Sequence, residues 1–330
     1  MKKRILGRTG LEVSELSLGA LFVSSTFAEQ SEANATVKRA LELGVNYIDT
    51  APAYRNSEEA LGIALSEAGS ECYISTKLGG RPTPFEPRDK KGLLYSVEES
   101  LRQLNREKID ILMIHEPDRF GLYDWWSDKE RFYGPVCEVL EELKERGLIK
   151  YTGLGGTTAY QLARIVETGY FDVVLTAFNY SLLWREAEIE ILPAAKKKGV
   201  GVVIGSPLQQ GALARRWPEV ETGALWLSTP RQNQYKALYG LLDDLQMEIS
   251  ELALRFALSN PDISTVLTGP RSVIEVENSV SAARKGPLSK DILNRLDEIA
   301  RMVPFRPYEE PFLLPFGGRE YGGPWAVRVR

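Results

Sequence analysis

Four side chains in this sequence have the types needed to move a proton onto an oxygen. Asp49 and Tyr54 stand five positions apart, on either side of Pro52, in the stretch Asn46-Tyr47-Ile48-Asp49-Thr50-Ala51-Pro52-Ala53-Tyr54. Lys77 lies near the end of a second apolar run. His115, the only histidine, closes a third, Asp110-Ile111-Leu112-Met113-Ile114-His115. A phenol ordinarily titrates near ~10. A nearby ammonium favours the phenolate and lowers that value, and a carboxylate keeps the ammonium charged and fixed. A phenol tuned in this way can act as a general acid near neutral pH, with an imidazole beside it to hydrogen-bond a carbonyl. The set suits proton delivery to an oxygen that is becoming an alkoxide. Singly, each residue has a plainer reading: a strand-end Asp as a turn former, a loop Tyr as a packing group, a lone His as structural. Their joint placement at successive strand ends favours the chemical one.

That placement depends on the elements. Short apolar strands are expected at 15–23, 46–50, 72–78, 110–115, 151–155, 173–178, 200–205 and 265–268. Helical spacing of apolar residues separates them, and further helices are expected at 185–198, 231–244, 250–259, 272–283 and 290–302. The strands lack clean alternation, as strands buried on both faces do. Eight strand–helix units over 330 residues predict one (β/α)8 TIM barrel spanning 1–330. A hairpin turning at Arg8-Thr9-Gly10 precedes it. Asp49, Lys77 and His115 then end the second, third and fourth barrel strands, which run ~4.8 Å apart. Long connections at 79–91, 116–131 and 207–230 rise from the same end. The aromatic tail 304–330, with Phe305, Tyr308, Phe312, Phe316, Tyr321 and Trp325, is expected to fold across the mouth as a lid.

Composition excludes several classes. Hydrophobic residues make up 43% of the chain, enough for a sizeable core. The net charge is −4 with both signs mixed, which argues against a nucleic-acid binder. Cys72 and Cys137 are far apart and have no CxxC partner, so they read as free thiols, and no metal site is expected. The basic start and the run 16–23 are too short and too interrupted by Glu12 and Glu15 for a signal segment. No stretch approaches the ~20 apolar residues of a membrane span. A soluble, cytoplasmic protein is expected, monomer or homo-oligomer, acting on a small molecule.

Tyr47-Ile48-Asp49-Thr50-Ala51-Pro52-Ala53-Tyr54-Arg55-Asn56-Ser57-Glu58-Glu59-Ala60-Leu61-Gly62 resembles the signature of the aldo-keto reductase family. Ser75-Thr76-Lys77-Leu78-Gly79 and the run ending in His115 are similar to its next two motifs, in order. The resemblance implies an NAD(P)-dependent carbonyl reductase on a TIM barrel. Tyr54 would be the proton donor, Lys77 and Asp49 its tuners and His115 the orienting residue. Gly19, Ala20 and Leu21 match the segment near the nicotinamide half. Ser206, Pro207, Leu208 and Gly211 match the pyrophosphate loop, and Gly269, Arg271, Glu275, Asn278 and Ser279 the adenosine end. Arg271 would take a 2′-phosphate, so NADP(H) is favoured and NAD(H) stays open. Phe22, Trp125, Trp126 and the aromatic tail would wall the substrate pocket.

The chain also departs from the family pattern. Gly155-Gly156 stands where relatives carry Ser-Asn, Ala177 where a Gln is common, and Gly205 where an aromatic often stacks. Asn278-Ser279 replaces a Glu-Asn pair. The carboxamide contacts then fall to Thr157, Thr158 or Asn179. These changes resemble the branch containing NAD-linked aldose dehydrogenases, which stays an alternative to NADPH-dependent reduction of aldehydes and ketones. Two others are a cofactor-binding regulatory or channel-associated subunit with little turnover, and a Schiff-base aldolase barrel using Lys77.

Overall fold

In the computed structural model, residues 1–119, 121–224 and 227–304 are described. Phe120 and Trp226, and the tail expected as a lid, lie outside them apart from Pro304.

An antiparallel pair, β1 (Lys3–Ile5) and β2 (Glu12–Ser14), opens the chain, with Lys3 opposite Ser14. The barrel strands follow: β3 (Leu16–Gly19), β4 (Tyr47–Asp49), β5 (Tyr73–Leu78), β6 (Ile109–His115), β7 (Ile149–Gly156), β8 (Val173–Ala177), β9 (Gly201–Gly205) and β10 (Thr265–Thr268). All pair in parallel, and β10 closes onto β3 with Val266 opposite Leu16. The expected TIM barrel with its N-terminal hairpin is the observed architecture.

The helices are α1 (Gln30–Glu42), α2 (Ser57–Ala68), α3 (Lys90–Leu104), α4 (Pro135–Glu145), α5 (Ala159–Glu167), α6 (Glu186–Ile189), α7 (Ile191–Lys198), α8 (Glu219–Thr222), α9 (Thr229–Leu245), α10 (Ile249–Ser259), α11 (Val273–Arg284) and α12 (Lys290–Arg301). Their apolar stripes and the outward faces of the strands form the larger core. The smaller core lies within the barrel, where Tyr47, Ile111, Met113, Val173, Leu175, Val203 and Leu267 meet Leu6, Leu11 and Val13 of the hairpin. Both faces of each strand are therefore buried, which explains the missing alternation.

Two expected elements are shorter than their patterns. The first barrel strand was expected to reach Val23, but it ends at Gly19 and continues as a 3-10 turn, Ala20–Val23. Its neighbours supply ladder partners only to Thr268 on one side and Asp49 on the other, so the chain has nothing left to pair with. The helix expected at 185–198 breaks at Glu190 (φ −127°) into α6 and α7. Pro193 is the cause: its ring nitrogen cannot donate, and it crowds the carbonyl of Ile189 four residues back. Sequence reading also missed α8, inside the connection after β9.

The hairpin seals the N-terminal end of the barrel. Gly7 (φ 51°) lies against the backbone of β9, where a side chain would meet Gly201 N at 2.2 Å. Arg8 donates to the carbonyls of Gly169 and Phe171, both at 2.9 Å, and to Asp172 at 3.0 Å. Arg4 donates to the carbonyls of Leu258, Asn260 and Ile263. Only the opposite end, where the strands finish, is left for a site. No described helix is long and apolar enough to cross a membrane.

Candidate active site

Asp49 is the last residue of β4, Lys77 the penultimate residue of β5 and His115 the last of β6. The parallel register sets Asp49 opposite Ser75 and Lys77 opposite Met113, so each of the three stands two residues beyond the last, in steps along one rim. The turn after β4 returns Tyr54 toward them, its N–H donating to the carbonyl of Ala51 at 3.0 Å. Lys77 Nζ donates to Asp49 Oδ2 at 2.6 Å and to the Thr50 carbonyl at 2.7 Å. It also stands 5.0 Å from the centre of the Tyr54 ring. The Tyr54 and His115 rings meet edge to face, 5.9 Å apart. All four residues singled out in the sequence thus gather in one cluster.

Two unforeseen residues hold the acid in place. Ser75 Oγ donates to Asp49 Oδ1 at 2.6 Å, and Tyr47 OH donates to Ser75 Oγ at 2.8 Å. Asp49 therefore accepts on both oxygens, as a buried carboxylate must. Glu58, also buried, accepts from Thr76 at 2.6 Å and pairs with Arg81, which fixes the loop after β5 against α2.

The electrostatics differ from the expectation in one respect. The phenol was expected to be lowered; instead burial pushes Tyr54 above its ordinary value, and Lys77 pulls it back only in part. Desolvation opposes the Lys77 ammonium, but Asp49 and Tyr54 outweigh it, so the lysine titrates higher than usual. Burial, with help from the charges of Lys77 and Arg119, brings His115 down to about 3. At neutral pH the cluster holds a protonated phenol, a charged ammonium and a neutral imidazole.

The neighbouring strand ends are unusually bare. A methyl group at Gly155 would lie 3.3 Å from Lys77 Cε, so a bulkier residue would press on the lysine. At Gly156 it would meet the Asp118 carboxylate at 2.6 Å. Asp118, which sequence reasoning passed over, fills that space from the preceding loop. Its Oδ2 accepts from the Thr157 and Thr158 N–H groups, at 2.9 and 2.5 Å, and from the Thr158 hydroxyl at 2.7 Å, at the start of α5. Ala177 and Gly205 are register partners, and a methyl group at Gly205 would be 3.3 Å from Ala177 Cβ.

Three buried polar atoms at the strand ends or in the loops that follow them have no partner among the described residues: His115 Nδ1, Asp118 Oδ1 and Gln210 Oε1. Two of the three are acceptor oxygens, which suit the amide N–H groups of a carboxamide such as that of nicotinamide. Of the carboxamide candidates, Thr158 is engaged with Asp118, and Asn179 is 2% exposed and donates to Thr176 at 2.8 Å. In the loop after β9, Ser206, Gln209 and Gln210 are all left-handed, with φ between 49° and 54°. Such backbone costs about 1–3 kcal/mol per residue and persists where the surroundings over-determine it.

The remaining expected contacts are scattered. Phe22, in the 3-10 turn after β3, covers Gly269 and stacks under the Arg271 guanidinium, 4.6 Å away. Glu275 turns back to accept from the Arg271 N–H at 2.7 Å, Ser279 donates to the carbonyl of Glu275, and Asn278 is exposed. Trp125 and Trp126, expected as pocket walls, are instead 0% and 1% exposed. Trp125 donates to the His115 carbonyl at 3.2 Å and packs on Phe85, while Trp126 donates to the carbonyl of Pro117 at 3.0 Å. They brace the strand end from behind.

Among the described residues no group of His, Cys, Asp and Glu could hold a metal.

Comparison with known proteins agrees with this geometry. Residues 15–301 match the Aldo/keto reductase family. The chain is 34% identical over 290 residues to L-galactose dehydrogenase of Arabidopsis thaliana, covering 84% of this chain and 87% of that protein. It is 27% identical over 309 residues to D-threo-aldose 1-dehydrogenase of a Pseudomonas species, covering 84% and 92%. The holo form of an aldo-keto reductase from Bacillus halodurans superposes with a TM-score of 0.75 at 28% identity, over 94% of this chain and 99% of that one. With the barrel, the clustered strand ends and these likenesses together, the chain belongs to the aldo-keto reductase family and is an NAD(P)-dependent oxidoreductase.

Proposed function

We propose that this protein interconverts carbonyl compounds and alcohols, with Tyr54 passing the proton and NADP(H) as the favoured cofactor. The observation that carries this reading is the Lys77 ammonium, held between Asp49 and the Tyr54 ring with His115 edge-on to the phenol. When bound, the nicotinamide supplies or accepts hydride at the substrate carbon. Tyr54 stays protonated at neutral pH, which an acid must be. As its proton leaves, the fixed ammonium of Lys77 stabilises the phenolate, and Asp49 keeps that ammonium in place. Neutral His115 can donate to the carbonyl oxygen and hold it toward the phenol.

Gly19, Ala20, Leu21, Gly155, Gly156 and Asn179 would border the nicotinamide half. Ser206, Pro207, Leu208 and Gly211 would face the pyrophosphate, and Gly269, Arg271, Glu275, Asn278 and Ser279 the adenosine end. Arg271 is exposed and already stacked on Phe22, a posture that suits a 2′-phosphate.

Sugar oxidation is the second reading, favoured by the likeness to two sugar dehydrogenases. The aldolase reading is disfavoured, because a Schiff-base lysine must shed its proton and Asp49 opposes that here. The test is NADPH consumption with 4-nitrobenzaldehyde or methylglyoxal, and NAD or NADP reduction with aldoses, in wild type and Tyr54→Phe. Turnover lost in Tyr54→Phe with cofactor binding kept supports the reading. Intact cofactor binding with no wild-type turnover on any of these would favour a regulatory subunit instead.

A further inference from the structure

Glu116 follows His115 directly, at the open end of β6. Its backbone is left-handed (φ 53°), and its N–H donates to the Gly155 carbonyl at 2.6 Å. A non-glycine residue holds that conformation only where its surroundings impose it. The side chain is 17% exposed, and its carboxylate accepts from Arg119 Nη1 at 2.7 Å. Its charge adds to the forces that keep Tyr54 protonated, and the charge of Arg119 to those that keep His115 neutral. Glu116 is thus fixed at the rim of the cluster, next in chain to His115 and bonded to Gly155, the strand end that lies against Lys77. Burial raises the Glu116 carboxyl, while Arg119 pulls it back.

A carboxylate has about four lone-pair sites, and Arg119 with the Thr157 side chain does not exhaust them. An apolar aldehyde packed against this group would cover acceptor sites without filling them, which is unfavourable. A substrate with hydroxyl groups next to its carbonyl would fill them with charge-assisted hydrogen bonds. Lys77 and Arg119, the cations acting on the imidazole, each face a carboxylate, so an anionic substrate finds no surplus positive charge in either. The buried indoles of Trp125 and Trp126 offer no aromatic wall.

We propose that Glu116 is the specificity-determining residue of this site, accepting hydroxyl protons from uncharged polyhydroxylated carbonyl compounds such as aldoses and small hydroxyaldehydes. This rests on the oxidoreductase reading above and names its substrate class.

The full chain is compared as wild type, Glu116→Gln and the double variant Glu116→Gln with Arg119→Gln, which leaves no stranded charge. NADPH titration by fluorescence first establishes that each variant folds and binds cofactor. Rates are then measured with D-glyceraldehyde and 4-nitrobenzaldehyde. Loss of the carboxylate is expected to lower kcat/KM for glyceraldehyde by about tenfold or more, mainly through KM, and to change that for 4-nitrobenzaldehyde less than about twofold. A parallel fall on both aldehydes, or no change on either, overturns the assignment of Glu116 alone. Wild-type protein that binds NADPH but reduces neither aldehyde, and oxidises no aldose, overturns the oxidoreductase reading and this assignment with it.

Discussion

Lys77 Nζ lies 2.6 Å from Asp49 Oδ2, with the two side chains only 1% and 4% exposed. Removing one member of such a pair strands the other charge in a dry interior, at a cost of about 3–5 kcal/mol. Lys77→Met should therefore lower both turnover and the urea midpoint. A variant as stable as wild type would show that Asp49 finds another partner.

Buried His115 titrates at about 3, against 6.5 when unperturbed. Its unfolded form takes up a proton first as pH falls, so the stability it contributes is present above about 6.5 and is lost toward about 3. Replacing it with Asn should flatten the urea-midpoint profile over that range. The imidazole should also give the pH–rate profile no inflection between about 5 and 8. A break near 6.5 abolished by His115→Asn would contradict its neutrality.

Arg271 has its guanidinium face on the Phe22 ring. If it pairs with a 2′-phosphate, Arg271→Gln should weaken NADPH by about tenfold and leave NADH nearly unchanged, the loss of one charge-assisted contact of ~1.5 kcal/mol. Equal weakening of both cofactors in fluorescence titrations would count against that role.

Gly156 cannot gain a side chain while Asp118 holds its present place, since the new methyl would lie 2.6 Å from Oδ1. Gly156→Ala should destabilise the protein by about 1–3 kcal/mol, as overpacking does. Combining it with Asp118→Ala should cost less than the two changes added together. Additive losses in thermal melts would show that the carboxylate moves aside freely.

The site was legible where its signals are local. Asp49, Lys77 and His115 each end an apolar run, so the strand pattern alone placed them at one rim. The bracing residues were less visible. Ser75 and Asp118 are ordinary polar residues in sequence, and only the register and the approach of two loops show what they hold. Trp125 and Trp126 sit in a polar loop, where aromatic character suggested a wall; their N–H groups instead found carbonyls behind β6. The direction of the Tyr54 shift depends on burial outweighing one ammonium, a balance no motif encodes. Pro193 did carry a readable signal for the break at Glu190, as a proline in the interior of the expected helix.

The hairpin floor imposes an order on how the molecule comes together. Arg4 is satisfied by carbonyls 254 to 259 positions further along the chain. The clasp cannot engage until α10 and the approach to β10 exist, so closing this end must be a late event, carrying the entropy of a very long loop. Fragments cut short before Leu258 would leave Arg4 without all three of these acceptors, and refolding of the whole chain should register Arg4→Ala in the rate of unfolding more than in the rate of folding.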